Sequence, residues 1–354
     1  MNQKYSTIIN LGPPLNRNLS IIFHLIYKND HLREILKLLN KNKIEATFFL
    51  TGTYLKKNKE IPKLIRDYGH EIGGYTYSHK DLTKLRQDQV ELEIEKFIAV
   101  ASNKDLINRT LFSLPYNQYN RSILEITARY NYPQIIYPTI DLSKIQTDNK
   151  LTDSWVNIFK GGNLINLRAD KEKTINLLTT LIKEAEKQDF SWQKVSQLLQ
   201  IKHPYKTITI LAGKTIFELG KEVGISPAVI AQLNRVPLNK KLLAYQLVYL
   251  PASENQFFSY TVLPGDTIKS ISSKFNLDQR QLEDLNGPLA MQHLRPGQQV
   301  IIPQEAGLSY TVQTGDTFLS ISQQLSISLP DLILRNPQLI TAGQKLIIYP
   351  TKQN

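Results

Sequence analysis

Cysteine is absent from the 354-residue chain. That excludes disulfide scaffolds, thiolate zinc sites, iron–sulfur clusters and cysteine nucleophiles, and it suits either side of a membrane. Also absent is any run of ~18 uninterrupted apolar residues, the length a spanning helix needs. Residues 1–18 lack the positive start, apolar core and small-residue cleavage site of a signal peptide. The apolar run at 19–27 is short and contains His24, which predicts a strand. No polybasic tail accounts for the net charge of +12: residues 1–200 carry 29 Lys+Arg against 21 Asp+Glu, and residues 201–354 carry 14 against 10. A basic surface suits anionic partners, and the same lysines keep a protein soluble. Nucleic acid rests on charge alone and is not expected as a partner. What is present is ordinary globular usage, 41% hydrophobic and 21% charged, which rules out wholesale disorder. The length allows two or three domains, or one domain and an array of small ones.

The array is visible as a repeat. Three segments align, at 207–251, 260–303 and 310–350. Tyr260-Thr261-Val262-x-x-Gly265-Asp266-Thr267 returns as Tyr310-Thr311-Val312-x-x-Gly315-Asp316-Thr317. Gly213, Gly265 and Gly315 lie 52 and 50 residues apart, and Asn234, Asn286 and Asn336 each follow their own glycine by 21 residues. Gln246, Gln298 and Gln344 precede a short apolar run closed by Pro251, Pro303 and Pro350. Each unit reads strand, helix, helix, strand. Tyr260-Thr261-Val262 has β propensity, and Asp266 or Thr267 can cap the next segment. Ile268, Ile271 and Phe275 share one helical face, and Leu282 and Leu285 mark a second short helix.

This pattern resembles the LysM domain, over roughly residues 206–351. The resemblance implies a βααβ fold that binds polymers of N-acetylglucosamine, in peptidoglycan or chitin, in a shallow groove between two loops. In the second unit those loops are Gly265, Asp266, Thr267 and Ile268 with Asn286, Gly287, Pro288 and Leu289. In the third they are Gly315, Asp316, Thr317 and Phe318 with Asn336, Pro337, Gln338 and Leu339. The Gly-Asp-Thr residues also serve as turn and cap. The first unit departs from the pattern, with Lys214 for the Asp and Ile208 for the Tyr. Tandem weak sites gain avidity on a repeating polymer.

Residues 1–200 alternate strand-like and helix-like stretches, which predicts an α/β domain. Strands are expected at 20–23, 46–50, 110–114, 135–137 and 164–167. Helices are expected at 32–39, 61–68, 88–100 and 171–188, with a closing segment at 190–199. Two runs carry a second resemblance: Ile44-Glu45-Ala46-Thr47-Phe48-Phe49-Leu50-Thr51-Gly52, and the stretch from Gly69-His70-Glu71-Ile72-Gly73-Gly74 through Tyr75-Thr76-Tyr77-Ser78-His79 to Leu85. They resemble the polysaccharide deacetylase, or NodB-homology, family. That implies an irregular (β/α) barrel, followed here by the three small βααβ LysM domains. It also implies removal of acetyl groups by water activated on a divalent metal, held by one Asp and two His.

The family's reactive positions are mostly replaced. Its Thr-Phe-Asp-Asp-Gly motif corresponds to Ile22-Phe23-His24-Leu25-Ile26, without either carboxylate. Its His-x-x-x-His motif reads Tyr75-Thr76-Tyr77-Ser78-His79, keeping the second His. Its Arg before Pro-Pro-Tyr is Ser113 in Phe112-Ser113-Leu114-Pro115-Tyr116, and its Leu-Leu-His-Asp motif reads Ile165-Asn166-Leu167-Arg168, with Arg in place of His. One imidazole cannot hold a catalytic zinc, which needs three protein ligands.

The expectation is therefore a deacetylase-like domain at 1–200 with no catalytic residues, metal or cofactor. LysM units follow at 206–252, 258–304 and 308–351, binding peptidoglycan or another N-acetylglucosamine polymer. Tyr75, Tyr77, Pro115, Tyr116 and Trp155 are candidate stacking platforms for sugar in the old groove. Two alternatives stand beside this. One is a divergent deacetylase, cleaving an amide C–N bond, with a metal site rebuilt on His24 and His79 from Asp30, His31 or His70. The other is a spore-coat or envelope assembly protein that docks through LysM. The resemblance places the protein in the cell wall or spore envelope; with no signal peptide visible, a cytoplasmic origin is open. Nothing in the sequence signals an oligomeric state.

Overall fold

The computed structural model describes residues 4–14, 17–27, 30–101, 107–144, 158–170, 172–201, 205–211, 213–239, 241–251, 257–275, 277–286, 291–303, 308–325, 329, 332–333, 342 and 345–348. The chain forms two compact units. One holds residues 1–216 and 239–250, the other residues 217–238 and 251–354.

The first unit is built on parallel strands. They are β1 (Thr7–Ile9), β2 (Asn18–Leu25), β3 (Thr47–Leu50), β4 (Glu71–Gly74), β5 (Leu111–Phe112), β6 (Gln134–Ile136), β7 (Ile140–Asp141), β8 (Leu164–Leu167) and β9 (Ser191–Trp192). The order across the sheet is β1-β6-β5-β4-β3-β2-β8-β7, and β9 extends from β2. The ends of this path, β1 and β7, are not paired with one another among the described residues, so the barrel is a curled, open one. All pairs are parallel, as in β2 against β3 with Ile22 opposite Thr47 and Leu25 opposite Leu50. Every residue of β3, β4 and β8 is buried, the pattern of a sheet covered on both faces.

Helices α1 (Leu32–Lys41), α2 (Gly52–Lys57), α3 (Ile61–Asp67), α4 (Gln87–Ala101), α5 (Arg121–Arg129), α6 (Lys173–Lys187) and α7 (Val195–Leu199) supply the cover. In α1 the buried residues are Leu32, Ile35, Leu36 and Leu39, one face of the helix. Strand β4 contains Gly73 and Gly74 because the sheet needs the space. A Cβ on Gly73 would lie 2.5 Å from the Phe49 ring, and one on Gly74 would lie 2.6 Å from Phe112.

The repeats follow, each with a two-stranded sheet. The first has β10 (Tyr205–Thr209), α8 (Ile216–Val223), α9 (Pro227–Leu233) and β11 (Leu247–Pro251). Its strands fall mostly in the first compact unit and its helices in the second. The second has β12 (Phe257–Thr261), α10 (Ile268–Lys274), α11 (Gln279–Asn286) and β13 (Gln299–Pro303). The third has β14 (Leu308–Thr311), α12 (Phe318–Leu325) and β15 (Lys345–Ile348). The small core of the second repeat is Val262, Ile271, Phe275, Leu282, Met291, Val300 and Ile302. Val312, Ile321, Leu332 and Leu346 form that of the third. Thr267 Oγ1 accepts from the Ser270 amide at 3.0 Å while Ser270 Oγ accepts from the Thr267 amide at 2.9 Å, a capping box repeated at Thr317 and Ser320.

Candidate functional site

In open parallel sheets ligands bind beyond the carboxyl ends of the strands. At that end β2 delivers His24, the segment after β5 delivers Ser113, β7 delivers Asp141 and β8 delivers Asn166. They form one chain of hydrogen bonds. Asn166 Nδ2 donates to Asp141 Oδ1 at 2.9 Å. This fixes the carboxamide, so Asn166 Oδ1 faces His24 Nδ1 at 2.9 Å and the imidazole donates there. His24 Nε2 is then the acceptor, 3.0 Å from Ser113 Oγ. Desolvation, opposed by the Asn166 hydrogen bond and the Asp141 charge, lowers the His24 pKa to about 4, so the ring is neutral at physiological pH. The order of groups is that of a serine–histidine–amide relay. Ser113 is fully buried, and its one hydroxyl proton is shared between His24 Nε2 and the Ile136 carbonyl, to which Oγ donates at 3.1 Å, which leaves a substrate no approach to its Oγ.

His79 sits above this chain at φ +62°, an uncommon backbone conformation for a residue with a side chain. Its Nε2 is 3.0 Å from the Tyr75 hydroxyl. Burial lowers the His79 pKa and raises that of Tyr75. Tyr116 lies 4.9 Å and Tyr27 6.2 Å from the His79 ring, and both tyrosines are exposed, by 61% and 73%. Of the expected platforms among the described residues, only Tyr116 is presented to solvent. Tyr75 and Pro115 are buried, Tyr77 is half-buried and packs on Gly52, and Trp155 lies outside the described residues. Tyr27 was not anticipated. Its signal is an aromatic residue directly after a strand that ends at the site.

The residues do not fit a divalent ion held by one Asp and two His. Leu25 is fully buried and has no donor, Tyr75 is bonded to His79, and both nitrogens of His24 are engaged. Among the described residues no group of three or more His, Asp or Glu could hold a metal. His31 is 3.4 Å from Glu34, and His70 is buried with Nδ1 accepting from the Ala46 amide at 3.2 Å. Arg168 does not fill the last motif's place, because its guanidinium is bidentate to Asp170 at 2.8 and 2.5 Å. Asn166 reaches the cluster instead. Asp141 stands in no recognisable motif, and within Ile165-Asn166-Leu167-Arg168 the resemblance pointed to Arg168 and not to Asn166.

In the repeats, Gly265 (φ +86°) and Gly315 (φ +90°) are exposed with open space where a Cβ would project. Asp266 Oδ2 accepts from the Tyr260 hydroxyl at 2.7 Å and the Leu263 amide at 2.8 Å. Asp316 Oδ2 accepts from the Tyr310 hydroxyl and the Gln313 amide, both at 2.7 Å. Thr267 and Thr317 are exposed caps, while Ile268 and Phe318 are half-buried against the two cores. Asn286 is buried. Its Nδ2 donates to the carbonyls of Leu282 (3.0 Å) and Ile301 (2.9 Å), and its Oδ1 accepts from the Ile301 amide (2.7 Å) and Gln232 Nε2 (3.0 Å). Its carboxamide is thus spent inside the protein. Gly287, Pro288, Leu289, Asn336, Pro337, Gln338 and Leu339 lie outside the described residues. Beside the turns, Leu263 and Leu319 are 51% and 53% exposed, two apolar side chains that the repeat pattern did not single out.

The polysaccharide deacetylase family model matches residues 13–135. Residues 13–135 form a polysaccharide deacetylase domain. The LysM domain model matches residues 260–303 and 310–348, so LysM domains follow it. The uncharacterised protein YlxY of Bacillus subtilis is 24% identical over 190 residues, 53% of this chain and 59% of that protein. The peptidoglycan-N-acetylmuramic acid deacetylase PdaA of Bacillus subtilis is 26% identical over 139 residues, 38% of this chain and 51% of that protein. The match thus spans little more than half the length of these relatives. Two solved structures share the fold of the deacetylase domain. A CE4 family pseudoenzyme from Bacillus anthracis has TM-score 0.50 and 22% identity, covering 55% of this chain and 69% of that one. A peptidoglycan N-acetylglucosamine deacetylase in complex with an N-oxidanyl-benzamide has TM-score 0.51 and 21% identity, covering 56% and 95%. The curled parallel sheet and its helices are therefore the (β/α) barrel of this family.

Proposed function

We propose that the protein binds N-acetylglucosamine-containing glycan, such as peptidoglycan, through its second and third repeats, and that its deacetylase domain does not hydrolyse. One observation carries the second half: the His24 imidazole stands where the family has a carboxylate and is closed at both nitrogens by Asn166 and Ser113. A neutral ring so held takes no proton from water and ligates no ion. The exposed Gly-Asp-Thr turns with Leu263 and Leu319 support the first half, since backbone groups read acetamido substituents and apolar side chains cover a sugar face. By the same reading the protein belongs at the cell wall.

Two assays test this. The full chain should sediment with insoluble peptidoglycan or chitin, and failure to do so removes the binding half. Incubation with N-acetylglucosamine oligomers and zinc should release no acetate. Chelator-sensitive acetate release would mean that the site is an active, rebuilt one.

A further inference from the structure

The first repeat lacks the turn chemistry of the other two. The tyrosine–aspartate hydrogen bond that orders Tyr260 with Asp266, and Tyr310 with Asp316, cannot form where the chain has Ile208 and Lys214. Its second departure is at the turn into the closing strand. The second repeat has Gly297 there at φ +84°, and the first has Tyr245 at φ +63°. A tyrosine in this region is strained where glycine is not. The turn is otherwise the same: the Leu243 amide donates to Gln246 Oε1 at 3.0 Å, as the Arg295 amide does to Gln298 Oε1 at 3.1 Å.

What the strained tyrosine gains is contact with the edge of the deacetylase sheet. Its carbonyl accepts from the Ile8 amide of β1 at 2.8 Å, and its ring lies 4.9 Å from that of Tyr5. Ile8 and Gln246 form a parallel bridge. The Tyr119 hydroxyl donates to the Ala244 carbonyl at 2.7 Å, and that of Tyr249 donates to the Leu11 carbonyl at 3.3 Å. Leu247 packs on the core cluster that contains Ile9 and Ile136. Residues 239–250 accordingly belong to the same compact unit as residues 1–216. Among the described residues strand β1 is otherwise paired only on its other side, with β6, and an unpaired edge invites pairing with other chains.

We propose that the first repeat is a docking element that closes the β1 edge of the deacetylase sheet, and is not a third glycan site. The proposal rests on the functional reading above only in leaving the glycan to the other two repeats. Hydrogen exchange on the full chain tests it, with the Ile8 amide as probe. In Tyr245→Ala that amide should exchange about 10-fold faster or more. The amides of Thr7 and Tyr137, held on the β6 side at 2.9 and 2.8 Å, should keep their rates. An unchanged rate at Ile8 overturns the proposal. Should Tyr245→Ala unfold the domain, Tyr119→Phe decides: it removes one hydroxyl and should speed Ile8 exchange about 3-fold, and no change overturns the docking. Sedimentation with chitin should survive Tyr245→Ala, and its selective loss would return sugar binding to the first repeat. If the unaltered chain does not sediment at all, the glycan reading fails, while exchange at Ile8 still decides the docking.

Discussion

Asn286→Ala separates a structural asparagine from a sugar-binding one. The side chain joins the end of α11 to β13 by donating to Leu282 O and Ile301 O and accepting from Ile301 N, all between 2.7 and 3.0 Å. Alanine leaves the amide and carbonyl of the buried Ile301 without these partners. A buried backbone group left unsatisfied costs about 1–3 kcal/mol, so the pair costs about 2–6 kcal/mol. A unit with so small a core, without disulfide or metal, holds a margin of about 3–5 kcal/mol at most. The second repeat should therefore open locally. Hydrogen exchange on the full chain would read this as lost protection across 257–303, with β3 and β4 of the deacetylase domain unchanged. Sedimentation should weaken as a consequence. Leu263→Asp is the contrast: Leu263 is exposed, so protection should persist while glycan retention falls. If Asn286→Ala kept full protection and lost glycan binding, the clamp argument would be wrong and Asn286 would be a ligand contact.

Further outcomes follow from the deacetylase domain. His70 is 1% exposed, and burial lowers its pKa to about 4. A lowered histidine pKa means that the unfolded chain binds the proton first, so stability falls as pH drops below about 6.5 and levels off below about 4. The loss is about 3 kcal/mol, measured as the difference in urea midpoints between the unaltered chain and His70→Gln across pH 7.5 to 4. Gly74→Ala places a Cβ 2.6 Å from Phe112 and 2.7 Å from Phe97, both fully buried, and should cost about 1–3 kcal/mol, read as a lower melting temperature. Zinc added to chelator-treated protein should move the melting temperature by less than about 1 °C, because a ligand stabilises only what it binds. A shift of several degrees would reveal a metal site.

Most of the architecture was legible because it rests on periodic apolar patterns. The face of α1 and the strands at 47–50 and 164–167 announce themselves. So does the spacing of the repeats, whose cores recur at Val262 and Val312, Ile271 and Ile321, and Leu282 and Leu332. Strand β4 was hidden, since Glu71, Gly73 and Gly74 carry no β propensity and the strand exists because neighbouring aromatic rings need its bare backbone. At the site, the replaced positions could be read by resemblance, but not what replaced them in function. Asn166 and Asp141 act only through their placement on adjacent strands, 25 residues apart in sequence. Resemblance placed Asn286 in a sugar-binding loop, while its burial and its hydrogen bonds to Leu282 and Ile301, which no sequence pattern carries, give it a packing role.

The packing around His24, Leu25, Tyr75 and His79 also sets what a metal site here would require. Leu25→Asp alone would put a carboxylate at a fully buried place, opposite Leu50, with no cation to meet it. Such an uncompensated charge costs several kcal/mol. Tyr75→His alone would break the bond to His79 and supply one nitrogen to a shell needing three ligands. Each single step toward ion binding thus runs uphill before any ion can hold on, so this pocket works as a ratchet that would take a metal only after several substitutions made together.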